Sequence, residues 1–289
     1  NPQTQQRETI VRTRCHIFGS YKENKYLDPK YVAQLESITD PNKRRAWLYG
    51  DWSVVGGGAL DDVLGPHNIV PRFKVPDNWY VDRSFDWGSS HPFSVGWWAE
   101  ANGEEIELPN GTRWAPPKGS IFRFYEWYGA PDLDTNKGVG MHPYDLAAAL
   151  RGMEERLVDN GWCASLPYPG PSDNQIWDVR DPGTPTIADE MAKAGVSWTR
   201  SDKSRGSRKI RLVLMRQMLQ NAKTGEGPGF FVMDNCRAAQ HLLPVLPRDP
   251  DDPDDVDTTA ADHLYDEAGY RVLSSKYRAS LDVEVLYPR

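Results

Sequence analysis

The chain has 289 residues, enough for one large domain or two smaller ones. Apolar residues make up 39% and charged residues 26%, so a packed core is expected and disorder throughout the chain is excluded. The net charge of −7 argues against a general nucleic-acid coat protein, but it is compatible with an acidic metal site beside a local basic groove. No apolar run approaches about 18 residues, so no transmembrane helix is predicted. Residues 1–7 are polar, so no signal peptide is predicted either.

The three cysteines, Cys15, Cys163 and Cys236, lie far apart. Their odd number and wide spacing fit neither a disulfide framework nor a zinc site. A reducing, cytoplasmic setting is therefore expected.

Residues 1–75 are predicted to form a separate, mostly helical segment. Helical periodicity appears at 31–38, a second short helix is expected at 41–50, and Gly56–Gly58 resembles a flexible joint. No Gly-x-x-x-x-Gly-Lys-Ser/Thr run occurs in the chain, so no Walker A phosphate loop is present.

Residues 76–289 are predicted to form the main domain, in which strands come first. Tyr80–Asp86, Phe93–Glu100 and Ser120–Tyr128 are rich in β-formers and favour an antiparallel meander, with 102–118 as a long hairpin tip. Helices and strands then alternate, which indicates an α/β sheet with both parallel and antiparallel pairs. The expected helices are 143–159, 187–194, 209–222, 236–246 and one from near Thr258; the expected strands are 163–168, 196–199 and 229–233.

Asp86 is the most informative residue, because it ends a short apolar strand next to Trp87-Gly88. A carboxylate there is held on a rigid element and stays open to a ligand. Asp and Gly are also ordinary turn residues, so a simple turn explains this motif when it is taken alone. A sugar-kinase type of phosphate loop is a third interpretation, but the further glycine-rich motifs that such a fold needs are absent.

Two later stretches carry acids in comparable places. Asp173 follows a predicted strand, and capping of a helix by Ser172 or Asp173 is the competing interpretation. In the third stretch Asp262 and Asp266 are four residues apart on a predicted helix, so they share one face, with His263 beside them. Like charges at that spacing repel unless a bound cation or a nearby arginine offsets the repulsion, which suggests a divalent-metal site if the three stretches meet. The competing interpretation is that acids near a helix N-terminus favour the helix dipole, which explains Asp262 better than Asp266.

A basic segment, 200–211, complements these acids. It opens a predicted helix, where backbone N–H groups and flexible cations suit phosphate contacts, although an exposed basic loop without a partner is also possible. Its cations, the candidate DNA-binding residues, are Arg200, Lys203, Arg205, Arg208, Lys209 and Arg211.

Together these stretches resemble the C-terminal half of the tailed-phage large terminase, the motor and nuclease that packages DNA. Tyr31–Trp52 resembles the segment that closes the family's ATPase half, and Ser84–Gly88 resembles its first nuclease motif. Asp173 lies where the second acid belongs. Asp262-His263-Leu264-Tyr265-Asp266, continued to Tyr270, resembles the terminal Asp-His-x-x-Asp-x-x-x-Tyr motif, which is the most specific of the three.

The resemblance implies an RNase H-like mixed sheet flanked by helices and a DNA endonuclease that uses two divalent cations, Mg²⁺ or Mn²⁺. Asp86, Asp173 and Asp266 would be the catalytic metal-binding acids, with Asp262 and His263 as further ligands. It also implies double-stranded viral DNA, the portal protein and the terminase small subunit as partners, in the host cytoplasm. The missing Walker A motif implies that the ATPase domain is absent from this chain.

Two alternatives stay open at this point. The first is another RNase H-like nuclease of the resolvase or transposase type, although the segment 31–52 argues against it. A non-catalytic module that docks DNA or the portal would use the acids for structure only.

Overall fold

A computed structural model describes residues 26, 28, 58–179, 181–252 and 255–275. Contacts divide the chain between residues 54 and 55, and all the elements below belong to the second unit. The helices predicted at 31–38 and 41–50 lie outside the described residues, and the domain boundary after residue 75 stays a prediction. No helix within the described ranges combines the length and the apolar character that a membrane span requires.

The centre of the fold is an antiparallel meander of three strands: β2, Tyr80–Asp86; β3, Ser94–Glu100; and β6, Ile121–Tyr128. In the register Asp86 pairs with Ser94, and Ser94 in turn pairs with Tyr128. The predicted meander is confirmed, because alternating apolar and polar residues give each strand two distinct faces.

Four short parallel strands extend this meander: β1, Ile69–Val70; β7, Pro171–Ser172; β8, Thr199–Arg200; and β9, Phe230–Met233. The result is a seven-stranded mixed sheet of order β1-β9-β6-β3-β2-β7-β8. A separate hairpin of β4, Ile106–Glu107, and β5, Arg113–Trp114, lies within the predicted hairpin tip.

The strand predicted at 163–168 is wrong in position. Tyr168 forms only an isolated bridge with Asp82, and the strand that joins the sheet is β7, where Ser172 pairs with Phe85. Chain packing explains the shift, because the backbone at Gly170 lies so near Arg83 that an added Cβ would collide with the carbonyl oxygen of Arg83. The strand predicted at 196–199 is similarly displaced and becomes β8.

Five helices within the described residues cover the two faces of the sheet. They are α1, Pro143–Asp159; α2, Ile187–Lys193; α3, Ser207–Thr224; α4, Arg237–Leu242; and α5, His263–Leu273. The apolar faces of α1 and α2 pack with Phe85 and Trp97 in one core cluster. Those of α3, α4 and α5 pack with Trp98 and Phe230 in a second cluster. The predicted mixed sheet flanked by helices is confirmed.

The side chains of β2 alternate between the two faces of the sheet, and this alternation places its acidic residues on one face. Val81 and Phe85 belong to the α1 and α2 side of the core. Asp82, Ser84 and Asp86 project to the opposite face, because successive strand residues point to opposite sides. That face is covered by α5, so these three polar side chains meet a charged helix.

Candidate functional site

Three polar side chains of β2 contact three polar side chains of α5. On the strand these residues are two apart and on the helix four apart, so each set lies along one face. The contacts are Asp86 with His263, Ser84 with Glu267, and Asp82 with Arg271.

Asp86, at the end of β2, is the centre of the site. Its Oδ2 atom lies 2.9 Å from Nδ1 of His263, and its Oδ1 atom accepts a hydrogen bond of 3.3 Å from the hydroxyl of Tyr270. The residue is only 4% exposed. Burial, reinforced by the negative charges of Asp266 and Asp173 and opposed by His263, raises the pKa of Asp86 to about 7.

Asp266, one helical turn into α5, is neutralised from within the protein. Its Oδ1 atom pairs with the guanidinium of Arg211, and its Oδ2 atom accepts a hydrogen bond of 3.4 Å from Tyr270. The side chain of Arg211 is only 4% exposed and lies over the ring of Tyr265. Although burial lowers the pKa of Arg211, the charge of Asp266 outweighs it and raises that pKa, so the guanidinium is a permanent cation.

Asp173 comes to the same site from the end of β7. Its backbone N–H donates to the carbonyl of Phe85 at 3.1 Å, which places Asp173 beside the end of β2. Its carboxylate accepts from the N–H of Gln175 at 3.1 Å, so the capping interpretation is confirmed for a 3-10 turn. The same carboxylate pairs with the ammonium of Lys203 at 3.3 Å, so capping does not prevent it from facing the site.

Asp262 occupies the N-cap position of α5 but makes no side-chain capping bond. Burial and the charge of Asp266 raise the pKa of Asp262 to about 6. Burial alone would lower the pKa of His263, but the hydrogen bond and charge of Asp86 outweigh it and raise that pKa. The structure thus brings Asp86, Asp173, Asp262, His263 and Asp266 into one electrostatic neighbourhood.

The donor types fit a hard divalent cation, which prefers carboxylate oxygens with at most one imidazole. Among the described residues, the permanent cations paired with these four acids are Arg211 and Lys203. Burial is the main cause of the raised pKa of Asp86, and the charges of Asp266 and Asp173 add to it. As placed, however, no three His, Cys, Asp or Glu side chains of the described ranges are grouped so that they hold one ion. A metal would therefore have to displace some of the present hydrogen bonds.

The structure distributes the cations of the basic segment 200–211 over different surroundings. Arg211 stands apart from the others, because it is buried against Asp266 and does not face solvent. Three of the others form ion pairs: Lys203 with Asp173, Arg208 with Asp255, and Lys209 with Asp252. The guanidinium of Arg200 lies 4.7 Å from the ring centre of Trp177. Arg205 is exposed. Phosphate binding by this segment stays a prediction.

Tyr270 is a site residue that the candidate set lacks. Its hydroxyl lies within 3.3 Å of Asp86, 3.4 Å of Asp266 and 3.1 Å of Lys203. Burial and the surrounding acids raise its pKa, so it stays a neutral hydrogen-bond donor. The sequence contained a signal, because Tyr270 lies four residues after Asp266 and hence on the same face of the helix.

Comparisons with known proteins concern the fold. No protein-family model and no curated protein matches the chain. The large terminase of a thermophilic bacteriophage, solved in complex with ADP, superposes with a TM-score of 0.50 at 14% identity, over 88% of this chain and 54% of that protein. The nuclease domain of the P22 large terminase gives a TM-score of 0.49 at 13% identity, over 78% of this chain and 98% of that domain.

The large terminase nuclease of the thermophilic phage G20c, solved with bound cobalt, gives a TM-score of 0.44 at 11% identity, over 76% of this chain and 98% of that nuclease. This chain spans about half the length of the terminase solved with ADP. At such identities the likeness concerns the fold alone. The chain has an RNase H-like α/β fold, and it resembles the phage large terminase solved with ADP at the level of the fold.

Proposed function

We propose that this chain is a divalent-metal-dependent DNA endonuclease domain of a phage large terminase, which cuts concatemeric double-stranded viral DNA during genome packaging. One observation carries the proposal. Asp86 is a buried carboxylate at the end of a central strand, within the field of two further acids, and its pKa is raised to about 7. A buried excess of carboxylates at a strand end is what a cation site for phosphodiester chemistry requires.

Asp86, Asp173 and Asp266 are the acids that would hold two Mg²⁺ or Mn²⁺ ions, with Asp262 and His263 as further ligands. When bound, such ions activate a water and stabilise the leaving 3′ oxygen of the phosphodiester.

The protein's own contribution is to hold the ligands in place. His263 and Tyr270 fix the two oxygens of Asp86 by hydrogen bonds. Arg211 offsets the charge of Asp266, which lowers the repulsion among the acids before any metal binds. These contacts orient the carboxylates, as outer-shell partners do in metal sites.

The basic segment 200–211 would hold the DNA backbone beside this site. Arg200, Arg205, Arg208 and Lys209 are exposed, and cations of this kind bind phosphates without reading sequence. Arg211 is excluded from that role by its burial, and we assign it to the acidic site. The proposed partners in DNA packaging are the portal protein, the terminase small subunit and an ATPase domain, all in the host cytoplasm.

Cleavage of supercoiled plasmid in Mn²⁺ tests the proposal. Asp86→Ala should abolish cleavage while circular dichroism and thermal melting show a folded domain. Asp159→Asn removes an exposed acid at the end of α1, far from the site in sequence, and should leave the rate unchanged. Full activity of Asp86→Ala would refute the assignment of the site.

A titration with Mn²⁺ distinguishes the nuclease from a docking module. A nuclease should bind Mn²⁺ saturably and lose that binding in Asp86→Ala. Absence of both saturable binding and cleavage in the wild type would favour a module whose acids are structural. Cleavage restricted to branched DNA would instead favour a resolvase-type enzyme.

A further inference from the structure

Two cations contact the acids of the site, and they differ in how firmly they are held. Arg211 is buried, paired with Asp266, and lies 4.8 Å from the ring centre of Tyr265. Lys203 reaches Asp173 from the loop before α3, and 42% of its side chain is exposed. A flexible, exposed ammonium is strongly hydrated and loses rotamer entropy when it is fixed, so its contact is the weaker of the two.

Within the described part of the chain, Lys203 contacts Asp173 and Tyr270, which are both residues of the site. Its Nζ atom lies 3.3 Å from Oδ1 of Asp173, and it donates to the hydroxyl of Tyr270 at 3.1 Å. The ammonium is also 4.6 Å from the ring centre of Tyr270. Since Tyr270 bonds Asp86 and Asp266 in turn, the ammonium lies at the junction of three acids.

We propose that Lys203 is a displaceable counter-ion of Asp173, which holds the carboxylate in the absence of a divalent cation and leaves it when that cation binds. The proposal rests on the proposed metal-dependent function. A divalent ion on the carboxylate of Asp173 disfavours an ammonium at hydrogen-bond distance from the same group, because two cations a few ångströms apart repel each other. Its exposed, flexible stem lets Lys203 withdraw without disturbing the core, which the buried Arg211 cannot do.

Calorimetric titration with Mn²⁺ alone, without DNA, measures the competition. Lys203→Met keeps the length of the stem and removes the charge, so it should bind Mn²⁺ roughly two- to fivefold more tightly than the wild type, the scale of a partly exposed ion pair. Lys203→Arg keeps the charge and should bind Mn²⁺ no more tightly than the wild type. Lys209→Met is the matched control, since Lys209 is similarly exposed but pairs with Asp252.

Mn²⁺ binding by Lys203→Met that is weaker than or equal to that of the wild type would overturn the inference. A lysine that only orients Asp173 for the metal would give weaker Mn²⁺ binding when it is removed, and a lysine with no role would give equal binding. If neither the wild type nor Lys203→Met binds Mn²⁺ saturably, the proposed function fails as well. Saturable and equal binding in both refutes only the displacement.

Chemical reactivity gives a direct measure of the movement. Acetylation of lysine amines by a succinimidyl ester, followed by mass spectrometry, should label Lys203 faster when Mn²⁺ is present, because the ammonium has left Asp173. Labelling of Lys209 should not change. Labelling of Lys203 that is unchanged or slower with Mn²⁺ bound would show that the lysine stays in place.

Discussion

His263 Nδ1 lies 2.9 Å from Oδ2 of Asp86, so the first residue of α5 contacts the last residue of β2. Four residues of a helix span about 6 Å along its axis, and two residues of a strand span about 6.6 Å. Every fourth residue of α5 can therefore lie beside every second residue of β2 over a short distance. The contacts therefore recur deeper in the protein, at Glu267 with Ser84 and at Arg271 with Asp82. The position of Asp86 relative to the helix is fixed by this repeated pairing.

Replacing His263 with Ala should slow metal-dependent cleavage by about 10- to 100-fold, the usual cost of losing a partner that orients a metal ligand. The reason is that Asp86 would lose the hydrogen bond that fixes its Oδ2 atom. Initial rates of plasmid nicking measure the effect. His241→Ala is the control, because His241 also pairs with an aspartate, Asp134, but on the exposed surface. An unchanged rate in His263→Ala would contradict the role of the pair.

Metal-free protein should be more stable at pH 5.5 than at pH 8. Burial raises the pKa of Asp86 to about 7 and those of Asp82 and Asp262 to about 6, above the ordinary value of 3.8. The folded state thus binds more protons than the unfolded state in this window, so stability is lost as the pH rises through the folded pKa values. The raised pKa of His263 acts in the same direction.

Thermal melting with a chelator present measures this dependence. Mn²⁺ should stabilise the protein most at pH 8, where the acids are ionised and available to bind it. Asp262→Asn should raise the melting temperature at pH 8 by about 2–4 °C, which corresponds to about 1 kcal/mol in a domain of this size. A melting temperature that increases from pH 5.5 to pH 8 without metal would contradict the raised pKa values of these buried acids.

The parts of the fold that were predictable are those that local patterns encode. Runs of β-forming residues between turns identified β2 and β3, and the spacing of Leu146, Leu150 and Leu157 identified α1, whose bounds the structure reproduces. The predicted positions of the two-residue strands β7 and β8 were wrong. Their positions depend on the pairing of β7 with β2, which is distant in sequence, and on the pairing of β8 with β7.

The same limit applies to the site. Asp86 and the helical acids could be found from strand ends and helical spacing. The burial of Arg211 could not, because one arginine in a basic segment looks like any other until α3 is packed against α5. The pairing of Glu267 with Ser84 likewise requires that α5 lie along β2, which no local pattern states.

Glu267→Ala should destabilise the domain by about 3–5 kcal/mol, the usual cost of leaving one partner of a buried ion pair alone. Glu267 accepts from Nη1 of Arg123 at 2.6 Å, and both side chains are fully buried. Urea unfolding followed by tryptophan fluorescence measures the loss. The control is Glu155→Ala, which breaks an exposed pair with Arg151 on α1 and should cost about 0.5 kcal/mol or less. Equal losses in the two variants would show that the buried pair does not anchor α5.

Gly96→Ala should also destabilise the domain, by about 1–3 kcal/mol, because the new methyl group overpacks the site of that ion pair. A Cβ on Gly96 would collide with Nη1 of Arg123 and Oε1 of Glu267, and it would lie 2.8 Å from Nε1 of Trp98. Gly96 is central in β3, and Ser84 lies opposite it on β2. Because β3 is hydrogen-bonded to β2 on one side and to β6 on the other, it cannot shift without breaking hydrogen bonds to both strands.

The matched control is Gly152→Ala in the middle of α1, where the nearest atom to the new Cβ would be Nη1 of Arg156 at 3.5 Å. That space is sufficient, and alanine is the better helix former, so this variant should be more stable by about 0.5–1 kcal/mol. Denaturant midpoints for the two variants should therefore move in opposite directions from the wild type. If Gly96→Ala were neutral, Arg123 and Glu267 would have room to separate, and the rigid support that they give to α5 and the site behind Asp86 would be refuted.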